Sequence, residues 1–551
     1  MKQLITAILV LLSILSVRPS RAQSPKNGLP HLEKRGHAVQ LIVKGKPYLM
    51  LAGELHNSSS SSLPYLDSLW PRLTAAHLNT VLAPVYWELV EPREGAFDFR
   101  LVDGLITQAR AHHMHLVLLW FGSWKNGQSS YAPSWVKHDT TRFPLVTIRG
   151  SEHLQVLSPL GTETLKADST AFSTLMAHLK SFDGSTHTVL MVQVENEVGI
   201  LGDTRDRSSL AEKALNGPVP GRLLAYLRLH RDSLRPAVAA LWSKYGDRMQ
   251  GNWKEVFGES PAADELFMAW QFASFIDRVA QGGKSIYPLP CYVNAWIVQP
   301  DDKLPGDYPS GGPQAHMHDV WMAAAPHIDM LVPDIYLPDF RKVSGEYAEA
   351  GKGFFIPESL GGNKGAANAL YAFGAMNAIG YSPFGVEDPL PPAADTLGRL
   401  YQLLQGMSPV VTKAQQTGEI AAVIVTAKHP EEKVSLGGYT LDITRAYAWN
   451  SRISAPLGYA LVVCKGPGDY YVAGANFQIN FFPPAPGGIA GLDYVEEGSF
   501  QGGVWKAGRR LNGDETASSI RLADMARQRK TGMAARVGKW PSVLRIGVYT
   551  F

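Results

Sequence analysis

Two short apolar runs in this chain end in glutamate. One is Val189-Leu190-Met191-Val192-Gln193-Val194-Glu195-Asn196-Glu197, the other Gly353-Phe354-Phe355-Ile356-Pro357-Glu358. Each reads as a buried strand that delivers a carboxyl at its end. Two such carboxyls can break the acetal between two sugars. One protonates the leaving oxygen and the other attacks the anomeric carbon. Glu197 is assigned acid/base catalysis and Glu358 the role of nucleophile. They lie 358 − 197 = 161 residues apart, so only tertiary structure can join them. Retaining chemistry requires their carboxyls ~5–5.5 Å apart.

Strand side chains alternate, so Gln193, Glu195 and Glu197 are expected on one face, with Val192 and Val194 on the other. Like charges sharing an interior raise a pKa, as a general acid working near neutral pH requires. Asn196 is placed to hydrogen-bond a sugar 2-hydroxyl, a contact that strengthens in the transition state. Glu195 reads as a structural carboxylate held by Arg or backbone N–H groups.

The elements that must position these groups recur along the chain. Apolar runs of strand length cover residues 48–53, 79–85, 115–121, 188–195, 290–296, 329–336, 353–358 and 380–386. They are continuous rather than alternating, as in parallel strands buried on both faces. Helical patterns at 63–76, 101–113, 169–180, 262–280, 317–325, 339–350 and 366–377 lie between them. That alternation predicts an α/β fold, a (β/α)₈ TIM barrel over residues 23–390. An open doubly wound sheet is the runner-up, but no Gly-rich phosphate fingerprint follows an early strand. About 95 residues separate the fourth and fifth runs, an insertion expected on the catalytic face. Its Asp203, Arg205, Asp206 and Arg207 read as a solvated surface. A helical linker is expected over 391–416. Short strands with Gly and Pro turns then predict an all-β, sandwich-like accessory domain over 417–551.

Composition narrows the function classes. The balance of 52 Lys+Arg against 49 Asp+Glu leaves +3, which gives no nucleic-acid footprint. Residues 1–22 carry Lys2, an apolar stretch from Leu4 to Val17 and Ser20-Arg21-Ala22. This is the pattern of a cleavable signal peptide, so the mature chain is expected to be exported, to the periplasm or beyond. The stretch is short for a membrane span, and no later run approaches ~20 apolar residues. Cys291 and Cys464 are expected as two buried free thiols.

A third stretch runs Tyr86-Trp87-Glu88-Leu89-Val90-Glu91-Pro92-Arg93-Glu94-Gly95-Ala96-Phe97-Asp98-Phe99. Together with Gly53-Glu54-Leu55-His56 and the Glu-Asn-Glu sequence, it resembles glycoside hydrolase family 35, the β-galactosidases, over roughly residues 30–390. The whole looks more like a bacterial subgroup carrying its own C-terminal β domain. The resemblance implies a retaining enzyme on a (β/α)₈ barrel, with the acid/base after an Asn ending strand four and the nucleophile ending strand seven. These positions fall on Asn196-Glu197 and Glu358. It brings Tyr86 and Glu54 in as substrate-binding candidates. It also points to Tyr336, after Pro333-Asp334-Ile335, as a tyrosine that hydrogen-bonds the nucleophile. Many members carry Cys-Ala-Glu-Trp after strand three, whereas this chain has Gly122-Ser123-Trp124-Lys125-Asn126-Gly127. Trp124 and Asn126 become the candidates there, and Lys125 and Asn126 supply different hydrogen bonds.

Other positions are read from their residues alone. Trp296 closes the fifth run as a sugar platform or a core side chain. Glu387 binds a hydroxyl or caps a loop. His112, His113 and His115 read as a cationic helix end, and no zinc-type spacing occurs. No metal or cofactor is expected, since two carboxylates suffice. The expected partner is an oligosaccharide or polysaccharide; a homo-oligomer is left open. The resemblance implies the activity of a retaining exo-β-galactosidase, with xyloglucan side chains among the candidate substrates. A β-glucosidase or α-L-arabinopyranosidase is the alternative, and a non-catalytic glycan-binding protein the third.

Overall fold

The computed structural model describes residues 28–349, 351–388, 395–446, 455–484, 488–512, 515–516 and 534–551. The expected signal peptide lies outside them.

A short antiparallel meander comes first: His31–Arg35, Ala38–Val43 and Lys46–Tyr48. A curled parallel sheet follows. Its strands, in spatial order, are Met330–Asp334, Cys291–Trp296, Val189–Asn196, His115–Lys125, Thr80–Tyr86, Met50–Glu54 and Gly380–Tyr381. Side chains alternate between two apolar environments, which is why the runs are continuous in sequence. In His115–Lys125, Leu116, Leu118 and Trp120 face the helices, while Val117, Leu119 and Phe121 fill the interior with Met191, Tyr292, Val332 and Phe355. Leu41 and Val43 of the meander plug the same interior from one end.

Seven strands form the regular ladder, one fewer than expected, and the barrel does not fully close. Residues 353–358 lie between its two edges without becoming a ladder strand. Ser359, just past them, meets one edge through the Ile335↔Ser359 bridge, and Ile356 meets the other through Ile356↔Tyr381. Pro357 has no N–H to give a ladder, which shortens what this segment can pair.

The outer helices match the sequence pattern with shifted ends. The expected helix at 169–180 is Thr162–Asp183, that at 262–280 is Pro261–Ile286, and that at 63–76 splits into Leu63–Asp67 and Trp70–Ala75. Among the described residues no helix is long and apolar enough to cross a membrane.

The charged run in the insertion is not a solvated surface. Asp203, Arg205 and Asp206 are buried. Arg207 donates to Asp203 at 2.7 Å, Arg205 lies 3.1 Å from Asp264, and Asp206 accepts from Ser158 Oγ at 2.6 Å. The alternating charges pair with partners on the Leu145–Thr147 hairpin and helix Pro261–Ile286 rather than with water. Spacing along the chain cannot reveal those partners.

Helix Thr396–Thr417 packs against the parallel sheet. Tyr401 OH donates to the carbonyls of Tyr381 (2.7 Å) and Ala52 (3.2 Å). Gly418, in the left-handed region at φ 74°, ends this helix, a conformation that costs glycine least. Two antiparallel sheets follow. The six-stranded one runs Ile420–Thr426, Leu457–Gly466, Asp469–Ala475, Ser542–Thr550, Ala490–Gln501, Val504–Leu511. The four-stranded one runs Glu431–Leu436, Tyr439–Arg445, Phe477–Phe482, Ala534–Val537. Val425, Val462, Ile479, Phe481 and Ile546 fill the space between them. The other face of the larger sheet, through Ala422, Ile424, Leu461 and Ala473, joins the core around the barrel helices. Cys291 and Cys464 are free, buried, and in separate cores.

Candidate active site

The ends of four parallel segments converge on one polar cluster. Asn196 and Glu197 close Val189–Asn196, Asp334 closes Met330–Asp334, Glu54 closes Met50–Glu54, and Glu358 follows the 353–357 segment. Glu197 and Glu358 are 7% and 6% exposed, so both are nearly desolvated yet reachable. Oxygens of Glu197, Asp334 and Glu358 all lie within 4.8 Å of one another. The same spacing could hold a cation, but hydrogen-bond donors already face these carboxyls. Tyr336 OH donates to Glu358 Oε2 at 3.0 Å, Asn196 Nδ2 to Glu358 Oε1 at 3.4 Å, and Asn294 Nδ2 to Asp334 Oδ2 at 2.6 Å. Asn294 Oδ1 accepts the backbone N–H of Glu197 at 3.0 Å, tying neighbouring strand ends together.

Burial, then the Glu358 charge, pushes Glu197 up to about 7, while Lys125 opposes the rise. Asp334 is held well above the usual carboxylate range by burial, then by Glu358, Glu197 and Glu54. Glu54 is raised likewise by burial and Glu358, with Lys125 again opposing. Several buried polar atoms here have no partner: both Glu54 oxygens, both polar atoms of Gln193, Asn196 Oδ1 and Tyr292 OH. Buried polar atoms are rarely left so. Their convergence at one end of the interior marks a place for a hydroxyl-rich guest or for water.

Lys125 reaches the cluster through an irregularity. Trp120 pairs with Val194, and the next pair is Lys125 with Asn196, so five residues on one strand advance against two on the other. The extra residues bulge outward, and Lys125 returns inward at 6% exposure, its ammonium 5.1 Å from the Phe121 ring. Tyr131 stacks on Tyr86 (5.5 Å) and tilts against Phe121 (5.1 Å), completing an aromatic wall beside it.

Among the residues proposed from sequence, Glu197, Glu358, Asn196, Glu54 and Tyr336 meet in this cluster. Tyr86 lies in the aromatic wall, its hydroxyl 2.9 Å from Ser60 Oγ. Trp296 stands half-buried at the same mouth, in register with Asp334. Trp124 is not a sugar contact: it is fully buried on the outside of the sheet, its ring against Phe272 and Phe275 and its Nε1 donating to Leu157 O at 3.0 Å. The bulge turned it outward. Asn126, at φ 52°, forms the turn beside Asn196, its N–H donating to Asn196 O at 3.2 Å. Glu387 caps a loop: its carboxyl accepts from Ser59 Oγ (2.6 Å) and His56 N (3.2 Å). Glu195 departs from the expected alternation. At φ 63° it turns its carboxyl out of the interior toward Trp124 N, 2.7 Å away.

Asp334 carries charge in the site without a role assigned from sequence, because the expected run 329–336 continues past it to Tyr336. Lys125, expected there as a hydrogen-bond donor, arrives as a buried charge, and its approach depends on the bulge.

Comparison with known proteins adds partial likenesses. A family described as a domain of unknown function, DUF5597, matches residues 397–523, the long helix and much of the β domain. A β-galactosidase of Xanthomonas manihotis is 28% identical over 201 residues, 35% of this chain; the chain thus spans under a third, 30%, of that relative's length. Among solved structures, a β-galactosidase from Bacillus circulans sp. alkalophilus is 13% identical with a TM-score of 0.46, covering 66% of this chain and 57% of that one. A β-galactosidase from Rahnella sp. R3 is 15% identical with a TM-score of 0.44, covering 68% and 60%. The catalytic domain of a β-amylase from Paenibacillus polymyxa is 11% identical with a TM-score of 0.43, covering 64% and 97%.

Proposed function

We propose that this chain is a retaining exo-β-galactosidase that acts outside the cytoplasm after its leader is removed. Glu197, neutral below about pH 7, protonates the glycosidic oxygen as Glu358 attacks the anomeric carbon. The leaving sugar departs with the proton, and a galactosyl ester on Glu358 remains. Glu197, now ionised, takes a proton from water, whose oxygen displaces Glu358 and releases β-galactose. Tyr336 holds the attacking carboxylate through its hydroxyl.

The observation that carries this reading is the approach of the Glu197 and Glu358 oxygens to within 4.8 Å, from strand ends remote in sequence. That distance suits direct attack by one carboxylate rather than the wider gap of ~6.5–9.5 Å that admits a water in inverting enzymes. The relative from Xanthomonas manihotis supports galactose as the sugar.

Glu358→Ala tests the assignment. It should abolish hydrolysis of nitrophenyl β-galactoside, and azide should restore turnover to an α-galactosyl azide. Full activity of the variant would remove Glu358 from the mechanism. The charge of Lys125 acting on Glu54, in the stretch where many members of the resembled family carry Cys-Ala-Glu-Trp, favours a second specificity as the alternative. Nitrophenyl β-galactoside, β-glucoside and α-L-arabinopyranoside separate these readings. Galactose release from xyloglucan fragments, compared with lactose and pectic galactan, identifies the polymer. Glycan binding without turnover of any of them would make the chain a binding protein.

A further inference from the structure

We propose that Glu195 is a neutral carboxylic acid that donates its proton to Asp168, and that this buried pair is the positioning device for the turn carrying Asn196 and Glu197. The inference rests on the hydrolase reading for its consequence but not for its chemistry.

Asp168 projects from helix Thr162–Asp183 and is fully buried. Three donors already face it: Trp120 Nε1 (2.9 Å), Ser123 N (3.2 Å) and Ser123 Oγ (2.5 Å). These satisfy an anion. Glu195, also buried, accepts Trp124 N–H through Oε2, while its Oε1 meets no donor. Oε1 instead faces Asp168: a Cβ built on Gly122 would lie 2.6 Å from Glu195 Oε1 and 3.0 Å from Asp168 Oδ1, so the two carboxyl oxygens flank one point with no other donor for Oε1. Two buried carboxyls held this close cannot both be ionised and take one proton between them. The donors on Asp168 make it the anion, so Glu195 holds the proton. Burial, then the Asp168 charge, keeps Glu195 well above the usual carboxylate range.

The pair sits where the backbone needs holding. Glu195 and Glu197 both have left-handed backbones, φ 63° and 44°. Neither is glycine, and such conformations persist only where their surroundings over-determine them. The first inversion swings the Glu195 carboxyl outward to Asp168; Asn196 then points at Glu358, and Glu197 enters the mouth. Gly122 makes room, since a Cβ there would crowd both oxygens. Helix, bulge and strand end are thus joined through one proton beneath the proposed acid/base.

Glu195→Gln keeps a carbonyl for Trp124 N–H and offers an amide N–H to Asp168. It should retain kcat and KM within about threefold. Glu195→Ala should lower kcat roughly 100-fold, the scale of an ångström-sized misplacement, with KM changed less than about twofold. A Gln variant as poor as Ala, or a fully active Ala variant, overturns the proposal. A readout independent of turnover is the infrared band of a neutral carboxyl at pH 7. It should lose one component in Glu195→Gln relative to the unsubstituted protein, and an unchanged band also overturns the proposal. Should the unsubstituted protein cleave no glycoside, the hydrolase reading fails while the infrared difference still decides the pair.

Discussion

Glu197→Gln should make the protein inactive and, at neutral pH, more stable. The folded protein raises this carboxyl from 4.5 to about 7, a shift of 2.5. At about 1.36 kcal/mol per pKa unit, that is roughly 3 kcal/mol of disfavour toward the charged form. The sign follows from proton binding. Between pH 4.5 and 7 the folded state holds a proton that the unfolded state has released, so stability falls as pH rises through this window. Below it both states are neutral at this position and the contribution is fully present. Above it both are ionised, and the folded protein carries the whole penalty. Glutamine has the same shape and no charge. The stability gap between variant and parent should therefore be small near pH 4 and open to roughly 3 kcal/mol by pH 8. Urea unfolding followed by tryptophan fluorescence at several pH values measures it. The parent's kcat should fall above pH 7 as the acid ionises. If the two unfolding curves keep a constant separation from pH 4 to 8, Glu197 is not a desolvated acid, and its assignment falls with it.

Lys125→Met removes the positive charge that opposes the rise of Glu197 and Glu54. The alkaline limb of kcat should move above pH 7; a limb that stays in place would separate Lys125 electrostatically from the acid. Trp124→Ala empties a fully buried indole site between the sheet and helix Pro261–Ile286. It should cost about 3–5 kcal/mol of stability in urea unfolding, while KM measured on the folded fraction stays unchanged. A raised KM at unchanged stability would return Trp124 to the substrate.

Much of the scaffold was readable from residue order. A parallel strand buried on both faces has to be apolar along its whole length, and each ladder strand overlapped such a run. Helix ends were less readable: Thr162–Asp183 begins seven residues before the expected 169, because its first turns carry Lys166 and Asp168 rather than an apolar stripe. In the β domain the edge strands Glu431–Leu436 and Val504–Leu511 carry charged residues at exposed positions, which blurs the strand pattern in sequence.

Sequence alone determined which side chains arrive at strand ends, because a carboxyl that interrupts an apolar run can only stand where the run leaves the core. Glu197 and Glu358 are such cases. Tertiary structure decided which way each one faces. A bulge of residues 121–124 sent Trp124 outward and Lys125 inward, and a left-handed Glu195 broke the alternation that would have placed it in the interior. Both outcomes depend on neighbours from other elements, Asn196 and Asp168, that no local pattern names. Backbone register and φ are settled by what packs alongside, and that information is spread over the whole fold.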